Sequence, residues 1–118
     1  MNKTFGSYIR GRRERLQSAA GGYSVRKLAG RLGIQPSYIS KIERDEVPPP
    51  SEATIIRLAE ELQEDPDVLL ALAGKVSADL REAIVKRPAM FAELIRQLKD
   101  APDQAVLRLV REVRDGKW

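Results

Sequence analysis

The chain has 118 residues, with 21 Lys or Arg, 17 Asp or Glu, a formal net charge of +4, and no Cys or His. This length suits one small domain with an appendage and excludes a large multidomain enzyme. Without Cys or His the chain cannot form a disulfide framework, a thiolate or imidazole metal site, or a catalytic triad that uses His. Hydrophobic residues make up 42% of the chain, so a buried core is expected.

The basic charge is concentrated in the N-terminal third. Residues 1–44 hold ten basic and two acidic side chains, a net of +8, whereas residues 45–118 have a net of −4. Such an asymmetry is typical of chains that bind nucleic acid. The start of the chain lacks an apolar signal segment, and the longest apolar run, Val68–Ala73, is too short to cross a bilayer. A cytoplasmic protein is therefore expected.

The first predicted element is a helix. Phe5, Ile9 and Leu16 share one face of a helix over about residues 4–18. Residues 17–22 end in two glycines and are predicted to form a loop. No stretch alternates apolar and polar residues over the length of a strand, so the fold class predicted for the whole chain is all-α.

Two short helices are predicted next. Ser24 is a favourable N-cap for a helix that carries Leu28 and Leu32, and Gly33 is expected to end it. Pro36 suits the first turn of the following helix. After three prolines at 48–50, helices are predicted from Ser51, from Asp65–Pro66 to Gly74, and over about residues 77–87, 88–99 and 102–115.

The most informative segment is Val25–Arg44, which reads VRKLAGRLGIQPSYISKIER. Its runs Leu28-Ala29, Leu32-Gly33-Ile34 and Ser37–Arg44 resemble the helix-turn-helix of the Cro and phage-repressor type, also called the xenobiotic-response-element family of bacterial regulators. The resemblance covers about residues 5–73 and implies a five-helix DNA-binding domain. We therefore predict a DNA-binding domain over residues 1–74 and a helical extension over residues 75–118.

The resemblance also implies which residues bind DNA. The helix at about residues 36–44 would lie in the major groove. The residues implied to lie at or near base edges are Gln35, Ser37, Ser40 and Lys41, whereas Pro36 on the same face would contribute only shape or apolar contact. The residues implied to hold phosphates are Ser24, Arg26, Tyr38 and Arg44. Glu43 is implied to form a structural ion pair with Arg13, or with Arg12 as the alternative.

The sequence departs from the family pattern at three places. The gap between Leu16 and Tyr23 is several residues longer than usual, and Val25 stands where many members have a Gln that binds a phosphate. Asp45 replaces the usual Gly after Glu43-Arg44, which predicts a weaker end to the second helix of the motif.

The function predicted from these features is sequence-specific binding of a pseudo-palindromic double-stranded DNA site by a homodimer that represses or otherwise regulates transcription. No cofactor, metal, membrane or enzymatic activity is expected. Residues 75–118 carry two apolar stripes, which either pack on the domain's own core or form a dimer interface. The alternative function is an antitoxin or adaptor whose C-terminal helices bind a protein partner and whose DNA binding is secondary.

Overall fold

The computed structural model describes residues 3–118, and every regular element in that range is an α-helix, which confirms the all-α prediction. Met1 and Asn2, which the predicted DNA-binding domain includes, lie outside the described residues. The chain divides into two compact units, the first ending at Ser77 and the second spanning Ala78–Trp118. In chain order the helices are α1 (Phe5–Ala20), α2 (Val25–Leu32), α3 (Pro36–Glu43), α4 (Glu52–Glu61), α5 (Pro66–Leu72), α6 (Ala78–Lys86), α7 (Pro88–Leu98) and α8 (Asp103–Asp115).

Four helices of the first unit begin at side-chain caps. Thr4, Ser24 and Ser51 each accept a hydrogen bond from the backbone N–H three residues further on, at 3.1, 3.1 and 3.3 Å. The carboxylate of Asp65 accepts one from the N–H of Asp67 at 2.9 Å. These bonds satisfy N–H groups that the first helical turn leaves unpaired. The predicted helix starts at Ser24, Ser51 and Asp65 are confirmed.

Helix α1 is longer than predicted. The prediction of a loop over residues 17–22 is wrong for its first four residues, because α1 continues to Ala20. Ala19 and Ala20 have the strongest intrinsic preference for the helix, and no Gly or Pro lies between Gly11 and Gly21. Gly21 has a φ of 72°, which ends the helix. The long gap before Tyr23 is therefore mostly an extra turn of helix.

Helices α2 to α5 end in the same way. In each, a residue with positive φ ends the last turn, and the following N–H bonds to the carbonyl five residues back, at 2.8–3.1 Å. The positive-φ residues are Gly33 (69°), Asp45 (57°), Gln63 (58°) and Gly74 (76°). Asp45 therefore takes the left-handed conformation in place of the usual Gly and completes both cap hydrogen bonds at the end of α3. At Asp45 and Gln63 the left-handed backbone carries the steric cost of a Cβ atom.

Gln63→Gly is expected to raise the free energy of unfolding by about 0.5 kcal/mol, because glycine removes that cost at the end of α4 and the exposed 3.3 Å hydrogen bond from Gln63 to Tyr23 that is lost contributes less. The matched control is Gly74→Ala, which introduces a Cβ at φ 76° where no other atom lies within 4 Å. We expect this control to lower the free energy of unfolding by a similar amount. Urea unfolding followed by circular dichroism measures both changes. A Gln63→Gly protein less stable than the parent would contradict the prediction.

The core of the first unit lies between its five helices. α1 packs mainly on α3, α3 on α2, α2 on α4, and α4 on α5. In the second unit no side chain of α6, α7 or α8 is buried. The thirteen buried apolar residues of the first unit are Phe5, Ile9, Leu28, Ala29, Leu32, Ile39, Ile42, Ile55, Leu58, Ala59, Leu62, Leu69 and Leu70.

Candidate nucleic-acid interface

Helices α2 and α3 are short and are joined by a tight turn. Gly33 adopts φ 69° and ψ 30°, and the N–H of Ile34 returns to the carbonyl of Ala29 at 3.1 Å. Ala29 is fully buried, so its small side chain allows the two helices to approach closely. The inner faces of both helices are held in the core, which fixes the direction in which the outer face of α3 points.

The outer face of α3 carries the residues implied to contact bases. Gln35, Ser37 and Lys41 are exposed, and Ser40 is half-buried. Gln35 is the N-cap residue of α3, yet its side chain makes no capping hydrogen bond. Its amide therefore remains available for an external partner. Pro36 occupies the first turn of α3 and is exposed, so it presents only an apolar surface.

The residues implied to hold phosphates are in different environments. The Ser24 hydroxyl accepts a hydrogen bond from the N–H of Lys27, so it orders the start of α2. Arg26 is exposed on the first turn of the same helix. Tyr38 is half-buried and packs against the hydrophobic core. Arg44 is exposed at the end of α3.

An ion pair fastens α3 to α1. Arg13 Nε lies 2.6 Å from Glu43 Oε2 and Arg13 Nη2 lies 2.9 Å from Glu43 Oε1, so both carboxylate oxygens are engaged. The hydrogen bonds to Glu43 raise the pKa of the Arg13 guanidinium above its ordinary value, although burial acts in the opposite direction. Arg12, the alternative partner, instead lies 3.1 Å from Glu64 and donates to the carbonyl of Leu62.

A second connection between α1 and α3 was not predicted from the sequence. Asp45 Oδ1 accepts a hydrogen bond from the N–H of Gly6 at 3.0 Å, and Asp45 Oδ2 accepts one from the Thr4 hydroxyl at 2.7 Å. A Cβ on Gly6 would collide with the carbonyl oxygen of Ile42, so only glycine permits this approach. The sole sequence signal for this connection is the unusual Asp after Glu43-Arg44.

Tyr23 holds the segment between α1 and α2, and sequence reasoning also missed its role. Its N–H donates to the side chain of Gln17 at 2.6 Å, and its carbonyl accepts from Arg13 at 3.2 Å. Its hydroxyl accepts from Gln63 at 3.3 Å, while the Arg31 guanidinium lies 4.9 Å from the centre of its ring. These contacts fix the residue immediately before Ser24, and therefore the start of α2.

Comparison with protein-family models agrees with this geometry. A model described as a helix-turn-helix domain matches residues 4–72, which is more than half of the chain. The chain belongs to the helix-turn-helix domain family. No curated protein and no solved structure matches the chain. Within residues 3–118 no helix is long and apolar enough to cross a membrane.

In this helix-turn-helix domain, Arg44 is not an isolated cation. Its Nε lies 2.8 Å from Glu46 Oε1 and its Nη2 lies 3.2 Å from Glu46 Oε2, and both side chains are exposed. The hydrogen bond from Arg44 lowers the pKa of the Glu46 carboxyl below its ordinary value. A phosphate at this end of α3 would have to compete with Glu46 for the same guanidinium.

Charge is divided along the first unit. Residues 1–44, which contain α1 to α3, have a net charge of +8, whereas residues 45–77 hold two basic and eight acidic side chains, a net of −6. A groove of about 200 Å³ lies beside α3 in the basic part. Its lining residues are Arg10, Arg13, Val25, Ser40, Glu43 and Arg44. The helix-turn-helix therefore belongs to the basic part of the unit's sequence, which attracts a polyanion.

Proposed function

We propose that this protein is a transcriptional regulator, acting as a repressor, that binds pseudo-palindromic double-stranded DNA as a homodimer. It is proposed to belong to the Cro and phage-repressor type of helix-turn-helix proteins and to act in the cytoplasm. The observation that carries the proposal is the outer face of α3, where Gln35, Ser37 and Lys41 are exposed on a helix whose inner face is locked in the core. Two such helices would enter successive major grooves about 34 Å apart.

The residues of α3 are assigned different roles in this proposal. Gln35 and Lys41 read base edges, because Gln matches the N6 and N7 atoms of adenine and Lys matches the O6 and N7 atoms of guanine. Ser37 and Ser40 contribute further contacts near the bases. The register on the phosphates is fixed by Ser24, Arg26, Tyr38 and Arg44. Pro36 contributes only an apolar surface of matching shape.

Selection of bound duplexes from a random pool tests the proposal directly. We expect a two-fold related site whose half-sites lie about 10 base pairs apart or a multiple of that spacing. Recovery of unrelated sequences with no shared motif would exclude sequence-specific binding. Recovery of a single half-site without a symmetric partner would exclude the homodimeric mode.

Substitutions on α2 and α3 should separate base reading from phosphate binding. Gln35→Ala and Lys41→Ala are each expected to reduce discrimination between operator variants by about 1–3 kcal/mol, because each removes a base contact. Arg26→Ala is the matched control, and we expect it to weaken binding to all sequences alike. Fluorescence anisotropy with selected and random duplexes measures the difference. Equal losses on both duplexes for all three variants would contradict the assignment of Gln35 and Lys41.

Glu46→Gln is expected to tighten DNA binding several-fold, because it frees the Arg44 guanidinium for a phosphate. The gain should fall as salt is raised, since it comes from a phosphate contact. Glu60→Gln makes the same charge change at another exposed acidic position of the first unit and serves as the control. A gain of equal size in both variants would show a general charge effect and exclude a specific role for Arg44.

The alternative function is an antitoxin or adaptor that binds a protein through residues 75–118. The observation in its favour is the large apolar area exposed on the second unit, which suits a protein partner. Under this alternative, the isolated protein would remain monomeric and would bind selected DNA no more tightly than random DNA.

A further inference from the structure

The groove of about 200 Å³ beside α3 has room for a phosphate group. A water molecule takes about 30 Å³ in the liquid, so the groove has the volume of about seven waters, enough for one phosphate with part of its hydration shell. Its wall is built by three helices and not by a single one. The lining residues are Arg10 and Arg13 from α1, Val25 from α2, and Ser40, Glu43 and Arg44 from α3 and its C-terminal end.

The buried ion pair forms a part of this wall that carries no net charge. Arg13 Nε and Nη2 bind Glu43, and Arg13 Nη1 binds a backbone carbonyl at 3.2 Å. All three nitrogens of this guanidinium are therefore engaged, and the Glu43 carboxylate cancels its charge. The other charged side chains that line the groove are those of Arg10 and Arg44, so the attraction for an anion comes from these two.

Arg10 reaches the groove from α1. It lies three residues before Arg13, so the two side chains project from the same face of the helix. Its hydrogen bond to Glu14, at 2.9 Å, uses Nε and leaves Nη1 and Nη2 for a ligand. Arg44 binds Glu46 through Nε and Nη2, which leaves its Nη1. The Arg10 and Arg44 side chains are 57% and 53% exposed, so both can move toward a ligand.

The carboxylate partners of these two arginines do not close the groove to a phosphate. Glu14 and Glu46 are themselves more than half or half exposed, and exposed pairs of this kind add little net stability because water screens the charges. A phosphate offers several acceptor oxygens in a geometry that a guanidinium binds through two parallel N–H groups. The exchange of a carboxylate for a phosphate is therefore favourable at both arginines.

We propose that this groove binds one phosphate of the DNA backbone between Arg10 of α1 and Arg44 at the end of α3. The inference rests on the proposed DNA binding and adds Arg10, which lies outside the helix-turn-helix, to the residues that hold DNA. Ser40 lines the same groove and places a hydroxyl donor beside this phosphate. A phosphate held by both arginines bridges α1 and α3, and it fixes the distance between the DNA backbone and the outer face of α3.

Arg10→Ala in the full chain is expected to weaken binding to selected and random duplexes alike, by about five- to ten-fold at low salt. It should also lower the slope of log affinity against log salt concentration by about one, the value for one lost phosphate contact. Arg15→Ala is the matched control, because it removes the same charge from an exposed position of the same helix that does not line the groove. We expect its affinity to change less than about two-fold. Equal losses in the two variants would show a general charge effect and overturn the site.

A scan of the selected duplex with methylphosphonate, which replaces one charged phosphate by a neutral group, locates the contact. At one position in each half-site the modification should weaken binding of the parent but cause no further loss in Arg10→Ala, since the contact is already missing. Arg44→Ala should be insensitive at the same position. Insensitivity of the two variants at different positions would show that Arg10 and Arg44 hold different phosphates and would overturn the shared site.

Two further arms separate this site from a free-anion site and from the proposed function. Inorganic phosphate is titrated into the protein without DNA. Binding that Arg10→Ala abolishes, together with a scan that reveals no position specific to Arg10, would assign the groove to a free anion and overturn the proposal. A parent that binds selected and random DNA equally would refute sequence-specific binding, while the difference between Arg10→Ala and Arg15→Ala on random DNA would still test the groove. A parent that binds no DNA would overturn both.

Discussion

Arg13→Ala is expected to lower the free energy of unfolding of the first unit by about 3–5 kcal/mol. The Glu43 side chain is only 5% exposed, and both of its oxygens accept hydrogen bonds from Arg13. The substitution therefore leaves a buried carboxylate without a partner, and such a group must bind a proton or draw water into the core. Chemical unfolding followed by circular dichroism measures the loss.

Further variants of the same pair sharpen this result. Glu43→Ala should cost less than Arg13→Ala, because the longer Arg13 side chain is 11% exposed and can move its charge toward water. Replacement of both residues together, Arg13→Met with Glu43→Leu, should restore most of the stability, since apolar residues of similar volume often match a buried ion pair. Arg10→Ala is the control, because Arg10 pairs with Glu14 on the open surface. We expect Arg10→Ala to cost less than about 1 kcal/mol. Equal costs for Arg10→Ala and Arg13→Ala would contradict a structural role for the buried pair.

Gly6→Ala is expected to cost about 3 kcal/mol or more and to weaken specific DNA binding. The new Cβ would meet the carbonyl oxygen of Ile42 and would lie 2.6 Å from Asp45 Oδ1. Because these neighbours belong to the backbone and the anchored end of α3, α1 must move away from α3. That movement also breaks the bond from the Gly6 N–H to Asp45, which leaves polar groups unsatisfied. Unfolding in urea and anisotropy with selected DNA measure the two effects.

Helix α1 offers a matched control for this substitution. A Cβ on Gly11 would meet only the mobile ends of Arg15 and Lys3, at 3.6 and 3.9 Å. Gly11→Ala makes the same chemical change in the same helix, and we expect it to stabilise the protein by about 0.5–1 kcal/mol through higher helix propensity. If Gly6→Ala also stabilised the protein, the close approach of α1 and α3 would not exist in solution.

The sequence predicted the helices well because their ends depend on local chemistry. Ser24, Ser51 and Asp65 cap helices through bonds to N–H groups two or three residues away. Gly33 ends α2 through its own backbone conformation. Such signals can be read from a few neighbouring residues. The predicted end of α1 at about residue 18 is too early, because Ala19 and Ala20 favour the helix up to Gly21.

The connections that orient α3 could not be predicted in the same way. Asp45 and Gly6 are 39 residues apart in the chain, and neither residue type by itself indicates a carboxylate bound to a backbone N–H. Tyr23 likewise makes contacts to residues of α1, of α2 and of the segment after α4. Only the tertiary fold brings these groups together. The resemblance implies that Glu43 pairs with an arginine of α1, and the spacing of four residues from Ile9 favours Arg13, which is the partner observed.

Arg12 gives α1 a second set of contacts within the first unit, besides those with α3. The principal helix packing runs in a line from α1 through α3, α2 and α4 to α5. Arg12 joins α1 to the segment between α4 and α5 through the Leu62 carbonyl and Glu64. A terminal helix that contacts only one neighbour can unfold locally while the other helices stay folded. A terminal helix that contacts two neighbours must break both sets of contacts. Opening of α1, which would release α3, is thereby coupled to the segment at the end of α4.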